Sequence, residues 1–175
     1  AYFNKALAKN KAQTEALNLA LALDGQTHTL VLVQGPPGTG KTTLITEIAL
    51  QAYLRGENIL ILAKTNVAVD NILEKLMDKK IRVLRSGNNL HWKSNLPGVH
   101  AVSTANSLYL AAMEGGNRIV LGTPLGFFLD RNLPPAEYDL LIIDEASQMD
   151  IPETLFSLSF TKKCVMIGDH LQIPP

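Results

Sequence analysis

The chain has 175 residues, 46% of them hydrophobic, with 16 Lys and Arg against 16 Asp and Glu and a single cysteine. A chain this apolar buries a sizeable core, which excludes intrinsic disorder, and its length fits one domain of about 50–250 residues. Zero net charge gives no electrostatic reason to expect nucleic acid, one thiol builds neither an internal disulfide nor a cysteine metal site, and no apolar run approaches the roughly 18 residues of a membrane span.

The start, AYFNKALAKN, lacks the apolar stretch of a secretory signal, so the expected setting is the cytoplasm, or the nucleus of a eukaryote, with no membrane partner. The zero is a sum of local excesses. Lys79, Lys80, Arg82, Arg85 and Lys93 form a basic stretch, while Asp130, Glu137, Asp139, Asp144, Glu145, Asp150 and Glu153 make residues 130–154 acidic, with Arg131 their only cation. The plain reading of each is a solvated face.

In chain order, Asn10 is a helix cap, followed by Ala12, Ala16, Leu17, Ala20 and Leu23 at helical spacing until Asp24-Gly25 breaks the pattern. The run Thr29–Val33 reads as a fully buried strand, apolar and without alternation. A Gly-Pro turn follows, then a helix over about 42–55 stopped by Gly56. Ile59–Ala63 repeats the buried-strand signature, and Asn66 is placed to cap a helix whose apolar face holds Val67, Val69, Ile72, Leu73, Leu76 and Met77. Residues 82–84 suggest a short strand. The pattern weakens over 86–117, apart from a helix around 105–113, and buried strands resume at Ile119, Asp139 and Cys164. Strands alternating with helices predict one α/β domain, a mostly parallel sheet with helices on both faces.

Gly35-Pro36-Pro37-Gly38-Thr39-Gly40-Lys41-Thr42 fits G-x-x-x-x-G-K-S/T without deviation, between a strand and a helix start. Its glycines let successive backbone N–H groups turn inward around phosphate oxygens, and the helix that follows offers unpaired N–H groups to the same anion. Lys41 supplies an ammonium for the β- and γ-phosphates, and the Thr42 hydroxyl suits Mg²⁺. Leu140–Ile143 leads into Asp144-Glu145, at the carboxyl edge where open α/β sheets bind ligands. Asp144 is placed to hold Mg²⁺ through water and Glu145 to take a proton from an attacking water. ATP is favoured over GTP, since no N/T-K-x-D guanine-reading stretch occurs.

The ordered blocks GPPGTGKTT (35–43), TNVAVDNIL (65–73), DEASQ (144–148) and GDHLQIPP (168–175) resemble motifs I, Ia, II and III of superfamily 1 helicases. More narrowly they are similar to the 5′-to-3′ branch that contains the nonsense-mediated-decay helicases and the eukaryotic replication helicase–nuclease. Gln13 in NKAQTEAL is placed like that branch's Q motif. The resemblance implies a RecA-like fold for 1–175, an ATP- and Mg²⁺-using motor lobe, adenine recognition by Gln13, and phosphate contacts running to Thr43. It further implies that Gln172 senses the γ-phosphate and that Thr65, Asn66 and Thr123 touch the backbone of a single nucleic-acid strand. DEASQ, VDNIL and GDH lean towards the helicase–nuclease side, and so towards DNA over RNA.

The family places a second RecA-like lobe after motif III, so the resemblance makes this chain one lobe of a larger, monomeric motor. The chain alone is then expected to bind nucleotide weakly, hydrolyse slowly and not unwind. Two other readings compete: a phosphate-loop ATPase of another kind, such as a switch or remodeller, and a nucleotide-binding module without helicase activity. A generic ATPase has no reason to carry the blocks at 65–73 and 168–175. Among the remaining residues, Trp92 beside His91 and Lys93 reads first as a packing residue and only then as a base-stacking one, and Phe127-Phe128 reads as a core anchor. Four scattered histidines, His170 among them, have no metal spacing.

Overall fold

The computed structural model describes residues 2–27, 29–77, 79, 81, 83–86, 99–102, 118–129 and 138–172; for 99–102, 128 and 129 it describes the backbone alone. The expected helix at 105–113, together with Lys80, Arg82, His91, Trp92, Lys93, Asp130, Arg131, Glu137 and the side chain of Phe128, lies outside the described residues.

Seven described strands form one sheet: β1 (Leu30–Gln34), β2 (Ile59–Ala63), β3 (Val83–Ser86), β4 (Val99–Val102), β5 (Ile119–Gly122), β6 (Leu140–Asp144) and β7 (Cys164–Gly168). Their order is β1-β7-β6-β2-β5-β3-β4, and each neighbouring pair is parallel. The helices are α1 (Lys11–Leu21), α2 (Lys41–Leu54), α3 (Asn66–Met77), α4 (Pro124–Leu129) and α5 (Ile151–Leu158). This is the expected α/β architecture. β3 sits within a few residues of its predicted place, whereas β4 arises where no periodicity marked it.

Alternate side chains of the central strands feed two cores. Ile59, Ile61, Ile142, Val165 and Ile167 pack with Leu44, Ile45 and Ile48 of α2 and Val69, Ile72 and Leu73 of α3. Leu60, Leu62, Leu141 and Ile143 face the other way, towards Phe127, Tyr138 and Met149. The Phe160 ring meets Phe127, Tyr138 and Phe156 edge-on at 6.0, 6.5 and 5.0 Å, which suits the aromatic quadrupole. β2 and β6 are buried on both faces, so their sequences are continuous aliphatic runs up to Asp144, the last residue of β6.

β1 corrects an expectation. Among the described residues it is an edge strand paired only with β7, and its residues alternate between faces: Val31 and Val33 pack on the α1–α2 side, while Leu30 and Leu32 are 47% and 71% exposed. Burial on the second face depends on a covering layer, which the strand's own composition does not encode.

The helix ends follow local chemistry. Asn10 caps α1 by accepting from Gln13 N–H at 3.2 Å, as expected. α5 begins with a capping box, in which Asp150 accepts from Glu153 N–H at 2.8 Å and Glu153 accepts in return from Asp150 N–H at 3.4 Å. The cap of α3 is a second correction. Thr65, not Asn66, accepts there from Ala68 N–H, at 3.2 Å, because the helix already begins at Asn66 and its cap position is Thr65.

Candidate functional site: a nucleotide pocket at the sheet edge

Parallel register brings the chemistry to one edge. Gln34 pairs with Gly168, Ile167 with Asp144, Asp144 with Ala63, and Leu62 with Gly122. The residues that follow these strand ends, starting at Gly35, Asp169, Glu145, Lys64 and Thr123, therefore emerge side by side at the carboxyl edge of the sheet. Sequence blocks as far apart as Gly35 and Asp169 become neighbours through strand pairing alone.

The loop after β1 turns tightly at Pro36–Thr39, where both Thr39 N–H (3.4 Å) and its hydroxyl (2.7 Å) donate to Pro36 C=O. Gly40 then enters α2 at φ 84°, a left-handed conformation that costs glycine nothing and aims the first helix N–H groups at the loop's hollow. Lys41 Nζ donates to Gly35 C=O at 2.8 Å, so the ammonium rests across its own loop. Gln13 Nε2 donates to Thr39 C=O at 2.6 Å, which joins α1 to the loop. A cavity of about 210 Å³ opens here, lined by Asn10, Gln13, Val33, Gly35, Thr39 and Lys41 among others.

Asp144 is 6% exposed and accepts from Glu145 N–H at 2.9 Å. Burial pushes its carboxyl up to about 6 from an ordinary 3.8, reinforced by the Glu145 charge and opposed by the Glu145 N–H bond and by Lys41. Lys41 thus lies within electrostatic reach of Asp144. Glu145 sits at φ 54°, ψ 39°, the non-glycine residue with positive φ among the described residues. A 3-10 turn at Ala146–Gln148 follows and runs against the end of β7. Gly168 permits that approach, since a Cβ there would lie 3.0 Å from Ser147 N and 3.2 Å from its Oγ.

Hydrogen bonds stitch three blocks together. Gly35 N–H donates to Gly168 C=O at 3.0 Å, Asp169 N–H to Ser147 Oγ at 3.3 Å, and Gln148 Nε2 to Gln172 Oε1 at 3.3 Å. Asp169 is itself buried, accepting from Leu171 N–H. Across the sheet, Thr65 caps α3, and Thr123 caps α4 by accepting from Gly126 N–H at 3.2 Å, so both carry local structural work. Asn66 is exposed beside Thr65, and Thr43 accepts from Lys75 of α3 at 3.3 Å.

One residue defied the sequence reading. Arg85, counted there in a solvated basic stretch, is 3% exposed and bonded to Asp70, Asn66 and Ser86. Its signal was its place inside a strand: residue types of VLRS that are buried on both faces leave no solvent for the guanidinium.

The donor set fits a hard divalent cation. Asp144 and Thr42 offer oxygen only, Mg²⁺ uses few protein ligands and keeps several waters, and a cation would offset the burial of the Asp144 charge. No cluster of three or more His, Cys, Asp or Glu suited to another metal occurs among the described residues. Cys164 and Tyr138 are core groups, both pushed up to about 12 by burial. No described helix is long and apolar enough to cross a membrane.

Comparison with known proteins follows the same line. A DNA replication ATP-dependent helicase/nuclease DNA2 from Saccharomyces cerevisiae is 35% identical over 95% of this chain, and a DNA-binding protein SMUBP-2 from Mesocricetus auratus is 30% identical over 99%. The chain spans 11% and 22% of those relatives' lengths. Among solved structures, a nuclease-deletion mutant of the Type ISP restriction-modification enzyme LlaGI, in complex with a DNA substrate mimic, superposes over 94% of this chain and 18% of its own with a TM-score of 0.67 at 16% identity, a likeness of fold. The first of these relatives, named a helicase/nuclease, agrees with the helicase resemblance of the sequence blocks. A family profile described as "AAA domain" matches residues 8–114 and 109–175, and the chain belongs to that family.

Proposed function

We propose that the chain is an ATP-binding and ATP-hydrolysing RecA-like lobe of a nucleic-acid helicase. The observation that carries this reading is the convergence of the blocks at 35–43, 144–148 and 168–172 on one sheet edge, joined by the Gly35–Gly168, Ser147–Asp169 and Gln148–Gln172 hydrogen bonds. A phosphate loop alone serves many ATPases; its linkage to a carboxylate pair and then to a glutamine suits a machine that reports nucleotide state.

In this reading the Gly35–Thr43 loop and the α2 N-terminus hold the phosphates, and Lys41 leaves Gly35 C=O to neutralise the terminal ones. Gln13 reads the adenine edge, which needs its amide to leave Thr39 C=O. Thr42 and Asp144 hold Mg²⁺, which supplies charge neutralisation at the phosphates. Glu145 orients the attacking water and accepts its proton, and Gln172 senses the γ-phosphate. Thr65, Asn66 and Thr123 face the sugar–phosphate track of one strand. Both relatives named above carry DNA in their names, which favours DNA as the strand. The chain spans only a small part of its relatives, and the helicase reading assigns the partner that completes the motor to a second lobe of the same polypeptide.

The test is fluorescence titration with mant-ADP and Mg²⁺. Saturable binding that Lys41→Ala removes supports the reading. Equal affinity in Lys41→Ala refutes the site.

A further inference from the structure

Arg85 lies at the carboxyl end of β3 with its side chain 3% exposed. Its guanidinium spends its donors on three acceptors. Nε and NH2 both donate to Asp70 Oδ1, at 3.1 and 2.9 Å, NH1 donates to Ser86 C=O at 2.6 Å, and NH2 also donates to Asn66 Oδ1 at 3.0 Å. A buried guanidinium is costly unless held in this way, and the planar fork fixes directions that a point charge does not.

The consequence falls on Asn66, an exposed residue at the first turn of α3. A side-chain amide has one acceptor end and one donor end. With Oδ1 bound to Arg85 beneath it, the NH2 group is the end left to face outward. A donor at a helix start matches the acceptor oxygens of a sugar–phosphate backbone, where its opposite would not. Asp70, on α3 one turn after Asn66, anchors the fork from the same helix, so the guanidinium sets both the helix start and the amide's orientation.

We propose that Arg85 is a positioning residue for nucleic acid: it acts through Asn66, holding the amide so that its NH2 donates to the backbone of the bound strand. This rests on the reading of the α3 start as a nucleic-acid contact.

The test is fluorescence anisotropy with labelled oligothymidylate at low salt, run beside mant-ADP titration, on the full chain and on Arg85→Lys, Asn66→Ala and the double variant. Lysine keeps an ion pair with Asp70, so the variant folds, but it cannot serve Asp70, Ser86 and Asn66 together. Each single variant is expected to weaken the oligonucleotide about tenfold, with mant-ADP affinity unchanged within about twofold, and the double variant to be no weaker than Asn66→Ala. Additive losses, wild-type oligonucleotide affinity in Arg85→Lys, or equal loss of both ligands each overturn the proposal. Unchanged binding in Asn66→Ala removes instead the contact on which the proposal stands, while Lys41→Ala tests the nucleotide site separately.

Discussion

Lys41 Nζ is held 2.8 Å from Gly35 C=O, the first carbonyl of the loop it is meant to serve. The lysine proposed to bind phosphate is therefore stored against its own backbone, and in that proposal nucleotide binding exchanges one partly exposed hydrogen bond for contact with anionic oxygens. A bond of this kind contributes about 1 kcal/mol. Lys41→Ala is expected to lower the melting temperature by no more than roughly 4 °C, while mant-ADP binding disappears. Circular-dichroism melts and fluorescence titration check the two halves. Collapse of the fold would show that the lysine is structural.

Asp144 predicts a pH dependence of stability. Its folded value of about 6 lies above the ordinary 3.8, so the folded state holds the proton more tightly and stability falls as pH rises between those values. Below about 4 the group is neutral in both states and its burial costs little; above about 6 the cost is complete, on the order of 2–3 kcal/mol. Asp144→Asn removes the charge, so it is expected to raise the melting temperature at pH 7.5 by several degrees and to give no gain at pH 3.5. Mg²⁺ is expected to stabilise the wild type above pH 6 and to leave Asp144→Asn unmoved. Thermal melts at the two pH values, with and without Mg²⁺, decide it. Equal gains at both would remove the charge-burial account.

Gln148 and Gln172 are bonded across the two blocks they belong to. If that contact carries nucleotide state, Gln148→Ala and Gln172→Ala each lower nucleic-acid-stimulated ATP turnover in the longer protein about tenfold, and the double variant loses no more than the worse single one. Steady-state turnover with and without oligonucleotide measures this. Additive losses would mean that the two glutamines act independently.

Leu32 stands 71% exposed on an edge strand, a combination that invites pairing with another chain. Leu32→Lys is expected to reduce self-association of the chain in light scattering, with a melting temperature within about 2 °C of wild type, since the leucine packs little. A large loss of stability would place Leu32 in a packed layer.

Much of this molecule was legible as sequence because its strands announce themselves. The aliphatic runs of β2 and β6 have no polar position, and only a sheet covered on both faces uses such runs, so the parallel α/β fold followed. The placement of Asp144-Glu145 and of the loop leading to Lys41 at the sheet's carboxyl edge was legible for a related reason: a strand end fixes where the next residues emerge. What stayed hidden depends on neighbours. The exposed face of β1 is set by what lies beside Leu30 and Leu32, not by their identity. Arg85 passed for a surface cation because its partners Asp70 and Asn66 belong to a different element, and Thr65 took the cap assigned to Asn66 because the helix begins one residue earlier than its apolar face suggests.

Glu145 occupies a left-handed backbone conformation, φ 54° and ψ 39°, that costs a non-glycine residue about 1–2 kcal/mol. Glycine would fit that position more comfortably, and asparagine nearly as well. With the role proposed for Glu145, folding and turnover pull this one position in opposite directions. Consensus or computational stabilisation of the chain will tend to select against the carboxylate assigned to the attacking water, and a hardened, well-folded variant obtained that way is the one most apt to have lost its chemistry.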